Sequence, residues 1–264
     1  WGYQGINFGQ LNDDLTDLVP GTEKVIIPKG SGMGEGVHWY KIDGKYYILS
    51  SWYEGRMRMP AARADLLVTD DSGREIRLKA PARRIVTLAP HATEILYAAG
   101  AGERLVGTVE FSDYPPAAKK VPRVGSYERP DLEATSALKP DLVSVWETGN
   151  PAGQEEKLKA LGLTVYASQP NRMEDIAAQL ERFGQLAGSE AAAGAAAGQF
   201  RRRLDNLRHG NAQKPPVRVF YQIWTAPLMT VGGPQIISDA IRLCGGENVF
   251  GHLSQMSPTV SVEA

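Results

Sequence analysis

The chain has 264 residues, a 42% hydrophobic fraction and a formal net charge of −1. That is enough apolar content for a core and too weak a field to draw nucleic acid or an anionic membrane. The single cysteine, Cys244, excludes an internal disulfide and a cysteine-built zinc site. Four histidines (His38, His91, His209, His252) without HxH or HxxxH spacing argue against a histidine metal centre.

Residues 1–62 come first and are rich in Gly, Tyr and Trp, with period-two stretches such as HWYKIDGKYYILSSWY. Asp43–Gly44 between two aromatic runs predicts a hairpin, and the segment reads as all-β. A piece of two to four strands would be marginal alone. The chain starts at Trp1 with no charged-then-apolar leader before it and stops in PTVSVEA as a helix begins, so both ends read as interrupted. No run reaches the roughly 20 apolar residues that cross a bilayer.

From about residue 66 strand and helix patterns alternate. Short apolar runs at Ile85–Ala89, Leu105–Val109, Leu142–Trp146, Thr164–Ser168 and Val217–Trp224 predict buried parallel strands. Helical patterns cover Thr93–Ala99, Asp131–Leu138, Gly153–Leu161 and Met173–Ala187, with Gly100 and Gly162 as C-terminal stops. This rhythm predicts an α/β architecture with a largely parallel sheet. Ser189–Arg208 is a long Ala-rich helix of about 30 Å. Its Arg201, Arg202, Arg203 and Arg208 complement the helix dipole. They read as a solvated helix end rather than a phosphate patch, because no aromatic platform accompanies them. Lys214–Pro215–Pro216 then opens a further strand, and Cys244 in IRLCGGENVF reads as a small buried hydrophobe.

Ligands of open parallel sheets sit beyond the C-terminal strand ends. That rule selects Pro90, His91 and Ala92, then Glu110 to Tyr114, the loop at Ser126 and Tyr127, then Trp146 to Asn150, and finally Ile223 and Trp224. The set is rich in flat side chains (Phe111, Tyr127, Trp146, Trp224), which offer wide contact area at small entropy cost. Each of these also fits a core role. His91 reads as a hydrogen-bonding surface group at a helix start, with axial metal ligation as the alternative. Asp113 reads as the cap of the Ser112–Pro116 turn.

The segments PARRIVTLAP, ATEILYAAGAGERLVGTVEFSDYPPAAKKVPRVGSY, LEATSALKPDLVSVWETGN, RVFYQIWTAPLMTVGG and LCGGENVF occur in this order. Together they resemble the substrate-binding proteins of iron–siderophore, haem and cobalamin ABC importers, and SDYPPAA leans to the corrinoid branch. The resemblance implies a bilobal periplasmic-binding-protein fold: an α/β lobe over 66–188, one long linking helix over 189–210, and a second α/β lobe from 215 that is incomplete at residue 264. It implies a monomeric, periplasmic, non-enzymatic protein without catalytic cofactor or metal, whose partners are a transported ligand and a membrane permease. It puts Pro90, His91, Phe111, Ser112, Tyr127, Trp146, Ile223 and Trp224 in the inter-lobe cleft, with Phe111, Tyr127 and Trp146 on ligand-facing aromatic positions. It sets Glu155 and Glu156 near the acidic patch that docks to the permease, although both also read as solvated helix charges. Anionic siderophores call for clustered arginines, which the strand-end loops lack. The expectation is therefore cobalamin or another corrinoid, with haem or a ferric siderophore as the alternative.

Residues 1–62 resemble a different family. GINFGQLNDDL, EGVHWYKIDGKYYILSS and RMRMPAARAD are similar to family 43 glycoside hydrolases, five-bladed propellers in which the EG-x-H glutamate, here Glu35, is the general acid. A glycosidase needs a second carboxylate across the scissile bond, and a single propeller-like blade cannot supply it. The fragment is expected to be inactive, and its join to the α/β part to be a fusion or a misassembled reading frame.

Overall fold

The computed structural model describes residues 65–263 and, before them, the backbone of four strands, β1 (Gly5–Phe8), β2 (Lys24–Pro28), β3 (His38–Ile42) and β4 (Lys45–Leu49). The chain divides into two compact units, residues 1–64 and 65–264. In the first, β1 pairs antiparallel with β2, and β3 with β4, Ile42 standing opposite Lys45 across Asp43–Gly44.

The second unit opens with a hairpin, β5 (Leu66–Thr69) and β6 (Glu75–Leu78). Its turn is closed by the Asp70 carboxylate, which accepts from the backbone N–H of Ser72 and Arg74. Then follow β7 (Ile85–Thr87), α1 (Pro90–Ala98), β8 (Leu105–Gly107), α2 (Leu132–Ala137), β9 (Leu142–Trp146), α3 (Gln154–Ala160), β10 (Val165–Ser168), α4 (Met173–Ala187) and α5 (Glu190–Asn211). All positions of β7 and β10, and four of five in β9, are buried. Burial on both faces is what an all-parallel sheet requires. The strand order is β10-β9-β7-β8, every pair parallel.

Alternation along the strands sorts the core into two layers. Ile85, Leu142 and Tyr166 face α1, α4 and α5, packing with Leu96, Phe183 and Ala193. Val86, Val143 and Val165 face α2 and α3, packing with Leu158 and Leu132. The Ala-rich sequence of α5 permits a close approach to its neighbours. A Cβ on Gly184 of α4 would stand 2.3 Å from the Ala193 Cβ, and one on Gly100 would stand 2.8 Å from that of Ala192. At 22 residues, α5 runs about 33 Å.

After α5 come β11 (Val217–Val219), β12 (Gln222–Trp224), β13 (Met229–Thr230), α6 (Ile236–Leu243) and β14 (Gly246–Asn248). The single buried strand expected over Val217–Trp224 is two strands in two sheets. β11 pairs parallel with β14, and β12 pairs antiparallel with β13. Val217, Phe220, Tyr221, Ile223 and Trp224 are all exposed. An apolar run shows the preference for burial but not whether a covering layer exists. Cys244 is likewise exposed. It is the C-cap of α6, and Gly245, at φ 82°, turns the chain away directly after it. The hairpin β5–β6, α6 and the short strands β13 and β14 went unpredicted, because each element spans eight residues or fewer and so offers few repeats of any period.

Candidate ligand-binding site

In the order β10-β9-β7-β8 the connection from β7 leads to one side, while the later strands lie on the other. The chain therefore leaves β7 and β9 in opposite directions, which makes the gap between these two strands the topological switch point, where the ligand crevice of open parallel sheets lies. His91 follows β7 and Trp146 ends β9. Their rings meet edge-on, centroids 5.4 Å apart at 79°. Tyr127 also packs against the indole, at 5.7 Å and 49°. The structure thus gathers His91 from the first turn of α1, Tyr127 from the loop before α2 and Trp146 from the end of β9 into one cluster at the switch point. Gly149 passes directly against the indole: a Cβ there would come within 2.1 Å of Trp146 ring atoms.

Asn150 ties the cluster together. Its Oδ1 accepts from the Trp146 backbone N–H (2.6 Å), and its Nδ2 donates to the carbonyls of Leu88 (2.9 Å) and Tyr127 (2.8 Å). The amide orientation follows from chemistry, since the reverse would set donor against donor and oxygen against two carbonyls.

His91 is not the surface group expected from its place at a helix start. It is partly enclosed, and burial lowers its pKa to about 4, so the ring is neutral at pH 7. Its Nε2 lies 2.9 Å from Ser168 Oγ, which bonds Gln179 Oε1 at 3.2 Å. The Gln179 amide nitrogen donates to the Asp71 carboxylate, so its oxygen must accept from Ser168. Having spent its proton there, Ser168 accepts from His91. The tautomer is accordingly Nε2–H, which leaves Nδ1 as a bare acceptor. Asp71 also accepts from the Gln169 backbone N–H at 2.7 Å and pairs with Arg182. A chain of hydrogen bonds therefore runs from the cluster to the β5–β6 turn.

Ser112 is buried rather than open to the crevice. Its hydroxyl joins those of Thr87, Thr93 and Thr108 in a closed quartet, with Thr87–Thr93 at 2.7 Å, Thr93–Thr108 at 2.7 Å and Thr108–Ser112 at 2.8 Å. The neighbouring Phe111 is 69% exposed and sits at φ 64°, a left-handed conformation that costs a non-glycine residue about 1–2 kcal/mol. Two anchors hold it there: the buried Ser112 on one side, and the bond from the Glu110 N–H to the Gly125 carbonyl on the other. Phe111 makes no ring contact with Tyr127 or Trp146 among the described residues. Asp113 accepts from Arg123 at 3.2 Å instead of capping its own turn.

Pro90 is the first residue of α1, its fixed φ suited to that position. Trp224 is 61% exposed and donates its indole N–H to the Ala226 carbonyl; Ile223 beside it is also exposed. Neither joins the His91–Tyr127–Trp146 cluster through a described ring contact. Glu155 is less free than a solvated helix charge. It pairs with Arg74 and with Lys159 (2.6 Å); burial raises its pKa, and these two cations pull it below the usual range. Glu156 is exposed. Glu35 lies outside the described residues. Two open clefts, of about 280 Å³ against Leu132 and Leu161 and about 490 Å³ against Arg172, Asp239 and Arg242, lie away from the cluster. Sequence reasoning passed over Ser168, Gln179 and the three buried threonines, and placed Gly149 and Asn150 at a strand end without giving either a role.

Comparison with known proteins agrees with this architecture. The vitamin B12-binding protein of Vibrio vulnificus is 42% identical over 184 residues, covering 70% of this chain and 67% of that protein. The protein of the same name from Yersinia pestis is 38% identical over 212 residues, covering 79% and 73%. This chain thus spans about two thirds to three quarters of the length of these relatives. Among solved structures, the periplasmic vitamin B12-binding protein of Vibrio cholerae superposes with a TM-score of 0.65 at 42% identity, over 69% of this chain and 72% of that one. A periplasmic haem-binding protein from Pseudomonas aeruginosa superposes at 0.62 with 25% identity, over 69% and 67%. The family profile described as periplasmic binding protein matches residues 85–264, the stretch that carries the parallel sheet, the switch-point cluster and α5. On this match the chain belongs to the periplasmic binding protein family.

Proposed function

We propose that this chain is the ligand-capturing component of an ABC importer and that its ligand is cobalamin or a related corrinoid. The observation that carries the reading is the Tyr127–Trp146 pair at the β7/β9 switch point, in a chain 42% identical to vitamin B12-binding proteins. A corrin is a broad apolar macrocycle with an amide fringe. The paired rings, tilted 49° to one another, offer its edge and face two adjoining apolar surfaces, and the bare Nδ1 of His91 offers an acceptor to an amide N–H. Phe111, exposed and held in one backbone conformation, adds a second apolar contact with little ordering left to lose.

In this reading residues 66–188 and 215–264 are two lobes joined by the helix over 189–210. The ligand sits between them, and Ile223 and Trp224 complete the far wall. The protein works as a monomer in the periplasm and hands its ligand to a membrane permease, with Glu156 and the cation-bound Glu155 on the docking face. No catalytic step or resident cofactor is involved. Residues 1–62 are a propeller-blade type of fragment without glycosidase activity, a reading supported by their two antiparallel pairs.

Calorimetric titration with cyanocobalamin tests the proposal. One-to-one binding with quenching of Trp146 emission is expected, and Trp146→Ala should weaken it about 30-fold, the effect of losing an interfacial aromatic anchor. Saturation by haemin or a ferric siderophore with no response to the corrinoid would overturn the assignment of ligand. Turnover of a chromogenic arabinoside would overturn the assignment of class.

A further inference from the structure

We propose that Asn150 is the positioning residue of this site: its single side-chain amide fixes the spacing of the Tyr127 ring, the Trp146 indole and the His91 imidazole, and so sets the affinity for a flat ligand. The inference rests on the binding reading above and goes beyond it by naming what holds the wall in shape.

Three loops leave the sheet at different points, and no strand pairing joins their tips. The last paired positions of β7 and β9 are Thr87 and Ser144, the Leu88 N–H closes the ladder on the Ser144 carbonyl at 2.7 Å, and Trp146 lies two residues further on. Beyond that register Asn150 is the bridge. It accepts from the Trp146 N–H and also donates its own backbone N–H to the Trp146 carbonyl at 3.0 Å, so both polar groups of the Trp146 backbone are engaged by one residue. Its two remaining donors reach Leu88, three residues before His91, and Tyr127 itself. A side-chain amide is the one neutral group that offers two donors and an acceptor in a plane, and here all three are used. Aspartate has nearly the same shape but no donors, and would face two carbonyl oxygens with a negative charge. Serine lacks the reach. Gly149, whose missing side chain leaves room for the indole, brings Asn150 round to this position.

Asn150 touches ligand-contacting residues rather than the ligand, so its effect must pass through them, and a double-mutant cycle reads this directly. In the full chain, Asn150→Ser and Asn150→Asp are each expected to weaken cyanocobalamin binding about tenfold or more, while leaving far-ultraviolet circular dichroism unchanged. In a Trp146→Phe background, Asn150→Ser should cost less than about threefold. In the absence of ligand both variants should lose near-ultraviolet ellipticity from the Tyr127–Trp146 pair. Equal losses of affinity in both backgrounds, or an unaltered near-ultraviolet spectrum, would overturn the positioning role. If Asn150→Asp fails to fold, Asn150→Ser carries the same cycle. If the parent chain does not bind the corrinoid at all, the ligand reading falls, and the near-ultraviolet signal alone decides for or against Asn150.

Discussion

His91 shows how a site residue takes its character from a neighbour that local sequence does not reveal. At a helix start, in an APHAT frame, an imidazole reads as a solvated group. In the fold it meets the Trp146 indole edge-on, and burial takes its pKa from 6.5 to about 4. The unfolded chain therefore binds a proton near pH 6.5 that the folded chain refuses until about pH 4. The contribution of this group is fully present above pH 6.5 and is lost as pH falls toward 4, by about 3 kcal/mol in total. His91→Gln keeps a donor for Ser168 and cannot titrate. Urea unfolding midpoints of that variant are expected to fall less steeply between pH 6.5 and 4 than those of the parent. Parallel curves would show that His91 is not the group responsible. Asn150 was visible only as a polar residue after a strand. Its three partners, at positions 88, 127 and 146, are brought together by the sheet order, which periodicity does not encode.

At the scale of elements, the alternation of apolar runs and amphipathic stretches was legible, and for a physical reason. A strand covered on both faces must be apolar throughout, so Leu142–Trp146 and Thr164–Ser168 announce themselves, and Met173–Ala187 has the bounds expected of it. The same logic misled at Val217–Trp224, where apolar residues lie open on two short strands. The hydroxyl quartet was illegible, because Thr87, Thr93, Thr108 and Ser112 come from three elements and meet only once the sheet forms. For α5 the telling feature is the run of small residues, AAAGAAAG, which sets the helix close against Gly184 of α4. A larger residue there has backbone-linked atoms to displace rather than a flexible tip. Gly184→Leu is therefore expected to destabilise the α/β unit by about 3 kcal/mol, at the upper end for an overpacked core, read as a lowered midpoint in thermal unfolding. Gly194→Leu on the open face of α5, where an added Cβ meets nothing, should move it by less than about 1 kcal/mol.

For the whole molecule, the uneven distribution of apolar surface matters most. Val217, Phe220, Tyr221, Ile223 and Trp224, five exposed apolar residues, fall within eight consecutive positions. Beside them β11 and β14 form a parallel pair with no further strand on either side among the described residues. Open edges and clustered apolar residues favour self-association. Although the working unit proposed above is the monomer, sedimentation velocity at high protein concentration is expected to show weak, concentration-dependent association through this surface, reduced by the double substitution Phe220→Ser with Trp224→Ser. A single concentration-independent species would show that this surface is tolerated in water.

The parallel sheet places the aromatic cluster at its rim, on the first turn of α1, the loop before α2 and the last residue of β9, while the strand interiors and the Ala-rich helix beneath carry none of it. Scaffold and lock are thereby separable. The cargo of such a receptor can be rewritten by exchanging a few residues over 88–91, around Tyr127 and over Trp146–Asn150, of which Trp146 also pairs with Ser168 of β10 at the end of its ladder. A grafted set of these three segments should transplant its preference into another receptor with the same strand order.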